Sequence, residues 1–287
     1  MKNKNNMKPI LNAMTIDVED YFQVSAFASH IPREAWETLP CRVEKNIDRI
    51  LLLLDEKQIK ATFFTLGWIA KRYPSMIKRM VENGHEIASH GWSHYRVTDQ
   101  QPEEFRDDIT RSKALLEEIS GQPVLGYRAP SFSINHKNLW ALELLQNAGY
   151  LYSSSIYPVQ HDHYGMPDAP RFSFQPEEGK GLLELPVTTT RLFGRNVPAG
   201  GGGYFRLWPY PVSRWFLNRV NQIDTQPAIF YFHPWEIDFE QPRQEGINLK
   251  TRFRHYLNLQ RMEGRLRLLT HDFKWGRMDN IFLPKVS

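Results

Sequence analysis

The chain has 287 residues, enough for one large or two ordinary domains at ~150 residues each. With 41% hydrophobic and 24% charged residues and a mean hydropathy of -0.51, it is neither a membrane-embedded nor a disordered chain. The 36 Lys+Arg against 32 Asp+Glu leave a formal charge of +4 that reads as scattered, so no nucleic-acid partner is expected. The single cysteine, Cys41, excludes an internal disulfide framework and a Cys-rich zinc module, so a metal site has to use His, Asp or Glu. The N-terminal segment has no apolar run of signal-peptide length, and Ile50 to Leu54 is far short of the ~20 residues that span a bilayer. The expectation is a cytoplasmic chain without a transmembrane segment.

In chain order, Ala13 to Ile16 reads as a first strand. Val43, Ile47, Ile50, Leu51 and Leu54 then share one helical face. Ala61 to Gly67 is a β-branched and aromatic run that reads as a buried strand. A helix starts near Pro74 and stops at Gly84, His85 to Ser89 is a strand, and a third helix runs from Pro102 to Gly121 before the strand-like Val124 to Tyr127. Asn135 is placed to cap a fourth helix that ends at Gly149. Further strands are expected at Leu182 to Val187, Ala228 to Phe232 and Leu266 to Leu269. Residues 248–287 read as the last helix and strand. This alternation predicts a parallel α/β architecture, and the length fits a (β/α) barrel. Gly200 to Gly203 is followed by no Lys-Ser/Thr and reads as a flexible turn rather than a phosphate loop.

Functional groups in such folds sit just beyond the C-terminal ends of strands. Four clusters occupy those places. Asp17, Glu19 and Asp20 follow the first strand, and three acids together need a cation or a shared proton. His90 and His94 have a spacing that lets both imidazoles face one ion. Arg128, followed two residues later by Pro130, is placed to hold a carboxylate in its charged form. His233 ends an apolar strand where an imidazole can exchange a proton.

The segments TIDVEDYF, SHGWSH, RAPSFS, SSSIYP, HDHYGMPDAPRF, GGGYFR and FHPWE, in this order from about Thr15 to His233, resemble the polysaccharide deacetylases of carbohydrate esterase family four. The resemblance is closer to the subgroup tied to exosortase-linked exopolysaccharide loci. It implies a distorted (β/α) barrel of about seven parallel strands in a single deacetylase domain, with 235–287 as a C-terminal extension packed on it. It also implies a divalent metal, zinc by expectation, and a polysaccharide or oligosaccharide substrate.

By the same resemblance, Asp17 is the catalytic base, Arg128 orients it, His233 is the acid, and His90 and His94 are metal ligands. The first motif departs from the family's adjacent aspartates, so the carboxylate ligand is either Asp20, which is favoured, or Glu19. Tyr127, Pro130, Trp235 and His163 are the implied substrate contacts, with Trp92 and Tyr204 as further aromatic candidates. The Ser153 to Ser155 segment lacks the Asp that often pairs with the catalytic His, so nothing in the sequence identifies what orients His233. Competing readings are a glycosidase using Asp17 and Glu19, a non-haem iron oxygenase, and a non-catalytic carbohydrate-binding protein. An exopolysaccharide or its lipid-linked precursor at the inner membrane face, near membrane-bound exopolysaccharide machinery, is the expected setting.

Overall fold

A computed structural model describes residues 9–162 and 164–284. The strands are β1 (Leu11–Val18), β2 (Thr62–Thr65), β3 (Glu86–Ser89), β4 (Gly126–Tyr127), β5 (Tyr152–Ser153), β6 (Leu183–Glu184), the hairpin β7 (Thr189–Leu192) and β8 (Arg195–Pro198), then β9 (Ile229–Phe232) and β10 (Lys274–Gly276). The helices are α1 (Val43–Asp55), α2 (Gly67–Arg72), α3 (Pro74–Glu82), α4 (Pro102–Ser120), α5 (Trp140–Asn147), α6 (Gly202–Leu207), α7 (Tyr210–Arg219), α8 (Leu249–Tyr256), α9 (Leu259–Asp272) and α10 (Met278–Phe282).

The strands β9, β1, β2, β3, β4, β5 and β6 pair in that order, all parallel, and curl into a half-barrel. β10 adds to β1 along Leu11–Ala13. This is the expected distorted barrel. Among the described residues β6 and β9 do not pair. The chain on either side of the β7–β8 hairpin lies along β9 instead, where Ile229 N donates to Thr188 Oγ1 at 2.6 Å and Tyr231 N to the Gly200 carbonyl at 2.7 Å.

Period-two alternation along the strands decides what faces the barrel interior. On β1, Met14, Ile16 and Val18 pack outward into the core under the helices, while Ala13 joins Phe64, Ala88, Tyr152, Leu185, Ile229 and Met278 in an inner layer. Thr15, Asp17 and Glu19 follow Ala13 on the same inward phase. Tyr127 packs outward with the same core, which turns Arg128 inward.

Three expectations need correction. Leu266 to Leu269 lies inside α9, because Leu259, Met262, Leu266 and Leu269 bury one helical face, and the last strand comes later at Lys274. The fourth helix begins at Trp140, since Asn135 and Asn138 form a turn in which Asn135 N donates to Asn138 Oδ1. The two-residue strand β5 has no expected counterpart.

Candidate functional site

The inward polar residues converge at the C-terminal ends of β1, β3, β4 and β9. Register sets their neighbours: Ile16 pairs with Phe232, which brings His233 beside Asp17, and Ser89 pairs with Tyr127, which brings His90 beside Arg128. Arg128 is fully buried and donates from Nη1 to Asp17 Oδ1 at 2.5 Å and to Thr15 Oγ1 at 2.8 Å. Its other donors reach the Ser154 carbonyl at 3.2 Å and the Ser154 hydroxyl at 3.0 Å, and its guanidinium lies 4.0 Å from the Phe64 ring centroid. With its donors engaged on three residues, Arg128 fixes the Asp17 carboxylate in one orientation.

His90, His94 and Glu19 form one group whose donor atoms all lie within 4.8 Å of one another, and all three residues are buried. The loop carrying the histidines is irregular, with positive φ at Gly91 and His94. It is held by Arg33, which donates to the carbonyls of Ser93 and His94, and by Asp108, which accepts from Trp92 N. His90 Nδ1 lies 2.8 Å from the Arg128 carbonyl, so this nitrogen carries the proton and Nε2 keeps its lone pair. Burial lowers the His90 pKa to about 4, which keeps the ring neutral and able to ligate. Glu19 Oε2 lies 2.9 Å from His94 Nε2 yet is buried without a hydrogen bond. Burial works against charge on Glu19, but the His94 and His233 imidazoles outweigh it and hold the carboxyl well below its ordinary range. A buried, ionised carboxylate oxygen with no donor, facing two imidazoles, is a donor set that fits a divalent cation.

Asp20, the favoured carboxylate in the sequence, is not in this group. Its side chain accepts from the backbone N–H groups of Tyr21 at 2.8 Å, Arg42 at 2.6 Å and Val43 at 2.9 Å, and so caps the start of α1. Inward alternation carries on to Glu19, and Asp20 turns away.

His233 begins the 3₁₀ turn Pro234–Ile237. Its Nε2 lies 3.3 Å from Glu19 Oε1 and 3.9 Å from Asp17 Oδ2. Its Nδ1 lies 3.3 Å from Glu236 Oε2, which also accepts from His233 N at 2.9 Å. Burial opposes charge on His233, but Glu19, Glu236 and Asp17 together raise its pKa to about 9. The partner that the Ser153 to Ser155 segment does not supply is therefore Glu236, one 3₁₀ turn further on. Its other oxygen accepts from buried Arg206 Nε at 2.8 Å, and Arg206 also donates to the carbonyls of His255, Leu257 and Arg254. The signal was in the sequence, because His-x-x-Glu is the spacing of a reciprocal cap at the end of a strand.

Gly200, Gly201 and Gly202 are packing positions rather than part of a flexible turn, while Gly203 is exposed. A Cβ at Gly202 would stand 2.1 Å from Glu236 Oε2, and one at Gly200 would stand 2.3 Å from the Ile229 carbonyl. Gly202→Ala is expected to push Glu236 off His233 and Arg206. The expected result is a loss of about 1–3 kcal/mol in denaturant unfolding and about a hundredfold in turnover.

The expected sugar contacts fare differently. Tyr127 is fully buried in the core and cannot touch a substrate. Pro130 is also buried. Trp235 is 5% exposed, stacks on His233 and His255 at centroid distances of 5.1 and 4.2 Å, and donates from its indole to Glu19 Oε1 at 3.3 Å. It supports the site from behind and is not an open sugar platform. Trp92, half-buried, packs on Gly67 beneath Arg111, and Tyr204 is likewise half-buried. His163 lies outside the described residues.

Comparison with known proteins bears on this arrangement. Residues 35–152 match the polysaccharide deacetylase family, and residues 154–283 match a domain of unknown function, DUF3473. Asp17 and Glu19 precede the first match and His233, Glu236 and Arg206 lie in the second, so only His90, His94 and Arg128 fall within the deacetylase match. A peptidoglycan-N-acetylglucosamine deacetylase of Bacillus cereus is 33% identical over 96 residues, 33% of this chain and 35% of that protein. The chain spans about a third of the length of the curated relatives it matches. In fold, it superposes on a Mycobacterium smegmatis protein assigned as a polysaccharide deacetylase with a TM-score of 0.58 at 21% identity, over 98% of this chain and 91% of that one. A CE4 family pseudoenzyme from Bacillus anthracis shares the fold with a TM-score of 0.50 at 15% identity, over 96% of this chain and 66% of that one. Over residues 35–152 the chain is similar to the polysaccharide deacetylase family, and over nearly its whole length it shares the fold of these solved structures.

Proposed function

We propose that the chain is a metal-dependent N-deacetylase that hydrolyses the acetamide of N-acetylhexosamine units in a carbohydrate polymer. The observation that carries this reading is the convergence of three metal-type donors, a carboxylate held by Arg128 and an imidazole held by Glu236 within one buried cluster. Glu19, His90 and His94 would hold the ion, leaving further coordination positions for water and substrate. A divalent cation there supplies Lewis acidity to the acetamide carbonyl and makes water more acidic. Asp17, kept in place by Arg128, accepts the proton of the attacking water. His233, charged and anchored by Glu236, gives a proton to the nitrogen as the C–N bond breaks, so that acetate and a free amine leave. Because Nδ1 faces Glu236, the proton to be donated sits on Nε2, the nitrogen facing Asp17 and Glu19.

The narrower reading takes zinc as the ion and an exopolysaccharide or its lipid-linked precursor, at the inner membrane face, as substrate. It rests on the motif resemblance to the exopolysaccharide-locus subgroup, while the Bacillus cereus relative's name supports N-acetylglucosamine as the unit. The test is acetate release from N-acetylglucosamine oligomers by metal-stripped protein before and after zinc is restored. Zinc-restored acetate without chain shortening is the expected result. Shortened oligomers without acetate would favour a glycosidase, and binding without either product would favour a carbohydrate-binding protein.

A further inference from the structure

The charge that reads as scattered over the whole chain is not scattered between β6 and β9. Residues 185–223 contain Arg191, Arg195, Arg206, Arg214 and Arg219 and no Asp or Glu. Arg206 and Arg214 are committed to Glu236 and Asp272. Arg191 and Arg195 flank the tip of the β7–β8 hairpin and are exposed.

The tip itself is built unusually. Leu192 pairs with Arg195, so Phe193 and Gly194 form a two-residue turn, with φ of 49° and 77°. Positive φ at both central positions is the type I′ arrangement, which favours Asn or Gly first; a phenylalanine there is strained. Its ring gains no packing in return, because Phe193 is fully exposed. Next to the hairpin, α7 and its continuation present Trp215 and Ile223, both exposed, and Arg219 Nη2 lies 3.5 Å from the Arg191 carbonyl, which links the two elements.

We propose that this face docks on an anionic lipid bilayer, with Phe193 entering the acyl boundary and Arg191 and Arg195 pairing with headgroup phosphates. An exposed aromatic tip between two cations, beside an exposed Trp and in a stretch without acids, is the pattern of an interfacial membrane contact. The inference is independent of the reaction assigned to the barrel and needs no helix that spans the membrane.

Co-sedimentation of the full chain with phosphatidylcholine vesicles, with and without phosphatidylglycerol, tests it. Binding is expected to require phosphatidylglycerol and to weaken as salt rises. Phe193→Asn, which suits the turn and so keeps the hairpin, is expected to reduce partitioning about tenfold or more. Each of Arg191→Ser and Arg195→Ser is expected to reduce it about fivefold. No binding by the unmodified chain, or equal binding by Phe193→Asn, would overturn the proposal. So would a concentration-dependent dimer that Phe193→Asn abolishes in the absence of vesicle binding, since it would assign the face to a second copy of the chain.

Discussion

Asp17→Asn is expected to lower acetate release by about three orders of magnitude in kcat, with KM little changed. Asparagine keeps the size of the side chain and an acceptor for Arg128, but it cannot take the proton of the attacking water, and general-base catalysis is worth ~10²–10⁴-fold. The same change removes the charge opposite a fully buried guanidinium. Losing one partner of such a pair costs about 3–5 kcal/mol, so the unfolding midpoint falls as well. Pairing Asp17→Asn with Arg128→Met separates the two effects. Removing both charges is expected to recover much of the lost stability while turnover stays at the level of the single variant. Recovery of activity in the double variant would mean that Asp17 is a structural partner and not the base.

The second large effect belongs to Glu236, which binds His233 on one side and Arg206 on the other. Burial raises the energy of its charged form, but Arg206 and His233 outweigh this and bring its pKa down to about 2 from an unfolded value of 4.5. A depressed carboxylate pKa contributes stability that is present above about 4.5 and lost as pH falls toward 2. Its size is about 3 kcal/mol at neutral pH. Glu236→Gln is expected to lose that amount at neutral pH and to show a flatter loss of stability between pH 4.5 and 2 in denaturant unfolding. Turnover is expected to fall about a hundredfold through kcat, because an imidazole without this carboxylate is no longer fixed and keeps only Glu19 and Asp17 to favour its charged form. A KM effect with unchanged kcat would instead place Glu236 in substrate binding.

Much of this arrangement was legible in the sequence, and its gaps have physical causes. α1 announced itself by amphipathic spacing alone, and α3 and α4 because that spacing, Pro in the first turn and Gly at the end agree with one another. β5 went unseen because two residues followed by two more serines carry no strand signal; its place is set by β4 and β6 on either side. Leu266 to Leu269 satisfies a short strand pattern and a helical one equally well, and only the wider span from Leu259 decides for the helix. Strand phase decided the site. It turns Arg128 inward and Tyr127 into the core, and it makes Glu19 rather than Asp20 the acid beside the two imidazoles. The site was hardest to read where it rests on buried support. Trp235 resembles a sugar platform by type, and the Gly200 to Gly203 run resembles a flexible turn, yet Trp235 stacks on His233 and Gly202 packs against the Glu236 that holds it.

The central claim is that Glu19, His90 and His94 form a metal site, with Asp20 serving the start of α1. Zinc affinity of the metal-stripped chain, measured by calorimetric titration for the unmodified protein, Glu19→Gln and Asp20→Asn, addresses it most directly. One tight site is expected in the unmodified protein, weakened by at least about a hundredfold in Glu19→Gln. Asp20→Asn is expected to bind zinc as the unmodified protein does, at an unfolding free energy lower by about 1–2 kcal/mol through loss of the helix cap. Loss of zinc binding in Asp20→Asn with retention in Glu19→Gln would contradict the account.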